Sequence, residues 1–322
     1  MERLLLTLTI IFVSLIAGYL FRQWVSLGAS AFTESSLKRL RIVIQKTAMF
    51  GLIPLSAMLS LWGLPSPDPR LLCLPALGLA AWVAGGALAL FFSRRMGLGR
   101  AQTGSMYCCG TFTNIGAVGC LVAVMQFGEQ AIAMASLYRL CEEMFYFGVA
   151  VPVSRSYGSA GASGTKTPRL HLDPVLAAIL FALGLGLFLN LSGVRRPSAF
   201  GTLSAAAMIA GTVCFLLSIG MGLRLSRMTA YVRESAVISL IKFVCVPLIV
   251  TTLASLAGLG EVEGGLPLKV VAILSAMPVA MNALIPPSLF DLDLDLANAC
   301  WVFTTLELVV VLPVLIIVLP LL

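Results

Sequence analysis

Long apolar runs alternate with short polar breaks along the whole chain, at a spacing that suits helices crossing a membrane. The runs cover residues 4–21, 43–62, 71–92, 102–127 and 130–153, then 174–192, 202–222, 235–258, 268–289 and 296–320. Each is close to the roughly 20 residues an α-helix needs to cross a hydrocarbon core of about 30 Å. The pattern therefore predicts an all-α integral membrane protein of ten spans in two sets of five. Between the sets, Arg155 to Arg169 is rich in Gly, Ser, Lys and Pro and reads as a flexible linker. This divides the chain into a first half at 1–154, a linker at 155–172 and a second half at 173–322. The first run continues through Tyr19, Leu20 and Phe21 without a small-residue cleavage site, so it reads as a span and not a removable signal.

Composition supports lipid as the solvent. Hydrophobic residues make up 59% of 322 positions and charged residues 11%, too little polar surface for a water-soluble globule of this size. No polar stretch is long enough for an extramembrane domain, which excludes a sensor kinase, a nucleotide-driven pump or a membrane-tethered enzyme. The eight cysteines all fall in apolar runs without zinc or disulfide spacing, and read as small core residues. The single histidine, His171, lies in the linker.

Orientation follows from Lys and Arg, which are retained on the cytoplasmic side. Loops after odd-numbered spans hold fourteen of them and the opposite side holds five: Arg3, Arg70, Arg195, Arg196 and Lys269. Both termini are expected outside and the linker inside, in a multi-pass protein of a bacterial-type inner membrane. The net charge of +7 is then a topology signal plus contact with anionic lipid, and nucleic acid is not an expected partner.

Five spans followed by five more after a cytoplasmic linker makes the second half an inverted copy of the first. Inverted repeats are common in secondary transporters, whose substrate sites lie where broken helices of the two halves meet. Matching interruptions occur in runs four and nine. Run four reads Cys109-Gly110-Thr111-Phe112-Thr113-Asn114-Ile115-Gly116-Ala117-Val118-Gly119, and run nine places Pro278, Pro286 and Pro287 about Asn282. Gly weakens a helix by about 1 kcal/mol and Pro by about 3 kcal/mol, so both should break near mid-membrane. Half-helix ends there offer N–H groups and partial positive charge, which suits a carboxylate. The other reading is ordinary kinks with small residues for close packing. Thr113, Asn114, Ile115 and Gly116 with Pro278, Met281 and Asn282 are the candidate substrate-binding residues.

These segments resemble the auxin efflux carrier family. Phe112-Thr113-Asn114-Ile115-Gly116 through Gly119, Met277-Pro278 to Asn282 with the acidic loop after it, Thr304-Thr305 to Pro313, and Ile241-Lys242 with Pro247 are similar to its signatures. The resemblance implies crossed broken helices in a mobile transport domain of spans three to five and eight to ten, moving against a scaffold of spans one, two, six and seven. It also implies plant auxins or, in bacteria, small carboxylates such as malonate as substrates. The chain lacks the large cytoplasmic loop of the plant members and has Gly where they have Pro at the first crossing, so the plant substrate is not carried over.

Ionisable groups inside the spans need a reason, because each costs about 2.5 to 3.5 kcal/mol on insertion scales. Span five holds Arg139, Glu142 and Glu143, and span ten holds Glu307. Arg139 can reach Glu142 at i+3 or Glu143 at i+4. One reading is a structural ion pair locking span five to its neighbours; another is a desolvated glutamate that carries a coupling proton; a third is sodium coordination. Lys242, in span eight, can snorkel to the cytoplasmic surface or attract an anion. Asp291, Asp293 and Asp295 read as a solvated boundary.

The leading expectation is thus a secondary transporter of a small organic anion, working by alternating access with H+ or Na+ as the coupling ion, without cofactor or metal. A homodimer is an assembly the sequence leaves open. The sodium-coupled bile acid symporters are a close variant. From another class stands a membrane prenyl or lipid transferase with magnesium on Asp291, Asp293 and Asp295. Such enzymes have two aspartate-rich motifs and this chain has one.

Overall fold

The computed structural model of the chain describes residues 2–27, 33–64, 68–158, 174–222 and 228–322. Most of the expected linker, with His171, Lys166 and Arg169, and the loop residues Arg224 and Arg227 lie outside the described residues. In chain order the helices are α1 (Glu2–Ser26), α2 (Glu34–Thr47), α3 (Ile53–Trp62), α4 (Leu74–Arg95), α5 (Arg100–Thr111), α6 (Cys120–Phe127), α7 (Gln130–Tyr138) and α8 (Glu142–Phe145). They continue with α9 (Val151–Tyr157), α10 (Pro174–Leu191), α11 (Ala199–Gly220), α12 (Val232–Leu240), α13 (Val246–Leu256), α14 (Leu266–Ser275), α15 (Ile285–Leu289) and α16 (Leu294–Val318). The described residues form no strand beyond one antiparallel bridge.

The protein is an all-α, multi-pass membrane protein. Among the described residues, six helical stretches are long and apolar enough to cross a bilayer: Glu2–Ser26, Ser35–Trp62, Pro69–Arg95, Ala199–Gly220, Thr229–Leu256 and Leu294–Leu321. Ile115–Phe127 and Ala177–Leu191 are apolar but shorter. Large side chains such as Phe181 (73% exposed) and Leu256 (80%) face outward, where lipid accommodates what water would not.

One boundary differs from the sequence expectation. Helix continues from Glu34 through Trp62, so Lys38, Arg39, Arg41 and Lys46 sit on a helix and not in a loop. Thr33 caps it by accepting a hydrogen bond from Ser36 N at 3.2 Å. Polar side chains then extend the helix beyond the apolar run.

Two compact units emerge. Unit 1 comprises Met1–Pro67, Gly116–Ser136 and Asp173–Arg224; unit 2 comprises Asp68–Ile115, Leu137–Leu172 and Leu225–Leu322. The family resemblance assigns all of spans four and five to the mobile set. Residues 116–136 instead belong with unit 1, because α6 packs on α1 and α11 and Thr212 Oγ1 donates to Ala117 O at 3.3 Å.

Within unit 1, α1 and α11 approach so closely that a Cβ at Gly18 would meet Leu217 O and one at Gly220 would meet Leu15 O. A polar clamp closes one end. Arg196 donates to both carboxylate oxygens of Glu129 at 2.7 Å and to Leu59 O at 2.9 Å. Beside it, Trp62 Nε1 donates to Val194 O at 2.8 Å, and Asn190 Nδ2 donates to Trp62 O and Leu64 O. Gly63 and Gly201 make room, since a side chain at either would strike Arg196 or Glu129.

In unit 2, α4 and α5 interlock through Gly85 and Gly110, each beneath the other's carbonyl. Trp82, Phe112 and Tyr138 fill the core. Asp293 caps α16: one carboxylate oxygen accepts from Leu296 N at 2.9 Å and the other from Tyr231 OH at 2.9 Å, while Ser105 Oγ donates to its carbonyl at 2.8 Å. The acidic loop therefore fixes the start of α16 against α5 and the preceding Met228–Tyr231 turn.

Candidate functional site

The two interrupted helices meet inside unit 2. Helix α5 ends at Thr111, and Phe112 is already extended (φ −85°, ψ 124°). Glycines on either side and the β-branched Thr111 and Thr113 disfavour helix there. Helix α14 ends at Ser275, and the chain stays open until the Met281–Leu284 3₁₀ turn that leads to α15. Pro278 cannot donate a helical bond, and Pro286 and Pro287 suit only the first turn of a new helix.

Broken backbone in a membrane needs partners, and the two breaks supply each other's. Asn114 N donates to Pro278 O at 2.8 Å and Ala280 N to Phe112 O at 3.1 Å, with Thr113 opposite Val279 in an antiparallel bridge. Ile115 N turns back to Thr113 O at 2.8 Å, and Val279 N donates to Thr304 Oγ1 at 3.2 Å. The expectation of half-helix ends open to a cavity is thus replaced, at these amides, by a short two-stranded ribbon.

The structure brings six of the seven predicted binding residues to this ribbon or its exits. Thr113, Asn114, Ile115 and Pro278 are buried, and Met281 and Asn282 are partly exposed at the 3₁₀ turn. Gly116 lies within a π-helical turn, Ile115–Gly119, and is grouped with unit 1. The Asn282 carbonyl accepts from Tyr146 OH at 3.5 Å, and the Tyr146 ring packs on Phe112 at 4.9 Å between centroids. The Asn282 Oδ1 atom is buried and has no hydrogen-bond partner among the described residues.

Lys242 is the residue that spacing alone did not place. It lies in the π-helical turn Ile241–Cys245 between α12 and α13, is 0% exposed, and donates from Nζ to Thr113 Oγ1 at 2.8 Å. It does not snorkel to a surface. Among the described residues no carboxylate stands within ion-pair distance of it; the ion pairs join Arg70 to Glu261, Arg139 to Glu142 and Arg196 to Glu129. A lone lysine midway along an apolar run was the available signal, but its partner lies 129 residues away.

Of the coupling candidates, Arg139 pairs with Glu142 at 2.9 Å, three residues on, across the short break between α7 and α8. This pair is internal to span five, so it pins that break and does not reach a neighbouring span. Glu143 is half-buried on the next position. Glu307 accepts a hydrogen bond from Ser239 Oγ. Ser239 is one turn before Lys242 on the same stretch, and Glu307 is three residues after Thr304 on α16. The contacts Glu307 to Ser239, Lys242 to Thr113, and Thr304 to Val279 therefore form a polar ladder from α16 through α12 to the ribbon.

Comparison with known proteins points to membrane transport. Residues 165–316, which include Lys242, the second break, Thr304 and Glu307, match the family model described as membrane transport protein. A relative described as an uncharacterized transporter, from Methanothermobacter thermautotrophicus, is 25% identical over 245 residues, 76% of this chain and 77% of the relative. Together these matches support a membrane transporter, and the motifs about the two breaks resemble those of the auxin efflux carriers.

Proposed function

We propose that the protein is a secondary transporter of a small organic carboxylate, with Thr113, Asn114, Asn282 and Lys242 as the polar centre of its substrate site. The observation that carries this reading is Lys242: a buried cation beside two paired helix breaks, with a hydroxyl as its partner and no carboxylate at ion-pair distance among the described residues. A charge held in low dielectric without a counter-ion is costly, and a bound carboxylate supplies that counter-ion. The unpartnered Oδ1 of Asn282 marks an amide free to orient toward a ligand, with its N–H2 as donor.

The same reading takes the chain as ten spans in two inverted halves, 1–154 and 173–322, with both termini outside the inner membrane. Its support is that α5–α6 and α14–α15 break at related places and pair antiparallel. Unit 2, which holds the ribbon, is the moving part in an alternating-access cycle. Proton coupling runs through Glu307, one turn of α16 from Thr304.

The test is a thermal-shift panel on the purified protein with mono- and dicarboxylates, auxin-like aromatics and bile acids, with and without sodium. A ligand at 100 times its dissociation constant adds about 2.7 kcal/mol. Stabilisation by a small carboxylate without sodium supports the proposal. Stabilisation only by bile acids in the presence of sodium favours the bile-acid-type symporter instead.

A further inference from the structure

Helix α4 carries a surface groove of about 440 Å³ lined by Ala87, Leu90, Phe91, Arg94 and Arg95. It belongs to a stretch, Pro69–Arg95, long and apolar enough to cross the membrane, and lies at that stretch's C-terminal end. The sequence explains its shape: Ala87 sits one turn before Phe91 on the same face, and its methyl group leaves the gap that Leu90 and Phe91 border. Phe91 is 50% exposed, so the groove opens outward.

Two arginines close the groove at the membrane boundary. Side chains on a helix lean toward its N-terminus, so arginines in the last turn lean back toward the hydrocarbon. Arg95 does so, with its guanidinium carbon 5.2 Å from the centre of the Phe91 ring. The last carbonyls of the helix are taken by backbone: Met96 N donates to Phe92 O, Gly97 N to Arg94 O and Leu98 N to Ser93 O, with Gly97 at φ +68°. Both arginines are exposed, and neither forms an ion pair among the described residues. The site thus joins two free guanidinium groups to an apolar trough running down a membrane-facing helix.

We infer that this groove binds an anionic phospholipid, the phosphate on Arg94 and Arg95 and an acyl chain along Ala87, Leu90 and Phe91. A soluble anion would use the guanidinium groups alone and leave the apolar wall without purpose. A zwitterionic lipid fills the trough, but its own ammonium offsets the charge the arginines recognise.

The delipidated full chain in neutral detergent is titrated with phosphatidylglycerol or phosphatidylcholine, and bound lipid is read by native mass spectrometry. Phosphatidylglycerol is expected to bind about tenfold or more tightly than phosphatidylcholine. Each arginine contributes about fivefold near an anionic headgroup, so Arg94→Gln with Arg95→Gln should weaken binding about 25-fold. Ala87→Phe fills the trough while keeping both charges, and should also release lipid at an unchanged lipid-free melting temperature. Inorganic phosphate should leave the lipid in place. Equal binding of the two lipids, wild-type retention by either variant, or full displacement by phosphate overturns the assignment.

Discussion

At the residue scale, the unusual group is a lysine that an apolar protein interior holds beside a threonine hydroxyl. Its neighbours set separate expectations. Asn282 has a buried amide oxygen without a partner among the described residues, so Asn282→Ala should cost little stability. The same change should weaken carboxylate binding roughly ten- to a hundredfold, the value of one hydrogen bond to a charged group. Isothermal titration beside a melting curve checks both. Glu307 and Glu142 should separate as clearly. Glu307→Gln keeps the Ser239 contact but removes a titrating group, and should flatten the pH dependence of uptake in proteoliposomes. Glu142→Gln removes the charge that faces Arg139 and should lower the melting temperature with the pH profile kept. The types of these residues were legible in the sequence. Their partners were not, because Lys242 meets Thr113, and Ser239 meets Glu307, across long stretches of chain that no local periodicity connects.

Helices in this protein are shaped more by glycine and proline than by amphipathic faces. A lipid-solvated helix is apolar nearly all round, so the usual stripe is missing and small residues decide which helices touch. This is why the two breaks could be read directly, from Gly110, Gly116 and Gly119 in one run and Pro278 in the other. The antiparallel pairing of Thr113 with Val279 needed coordinates, since backbone pairing leaves no side-chain signature. The start of α2 was missed for a related reason: apolar runs end where lipid ends, whereas a helix ends at its cap, here Thr33. At Gly110 a methyl group would meet Ala89 and the Gly85 carbonyl. Gly110→Ala should therefore destabilise the α4–α5 pair by about 1–3 kcal/mol, as overpacking does, seen as a lower melting temperature in detergent.

Over the whole molecule, charge asymmetry and the two units make claims that labelling can check. In a cysteine-free background, a cysteine at Gln130 should react only from outside and one at Gly99 only from the cytoplasm. Both positions are exposed, whereas Glu129 is engaged by Arg196. Reaction of the Gly99 position from outside would overturn the orientation and the inverted repeat together. That Arg196 reads as a loop charge in sequence, yet serves in the structure as a clamp on Glu129 and Leu59, shows where composition stops being informative. A charge count gives the side of the membrane, and only packing gives the partner.

The central claim is that Lys242, without a counter-ion among the described residues, receives one from a substrate carboxylate. Lys242→Met tests it most directly, with affinity for the stabilising carboxylate and melting temperature measured on one preparation. Replacing an uncompensated buried charge by an apolar side chain of similar length is neutral or stabilising for folding. The account therefore predicts an affinity loss of about tenfold or more with the melting temperature unchanged or raised. Wild-type carboxylate affinity in a folded Lys242→Met variant would contradict it.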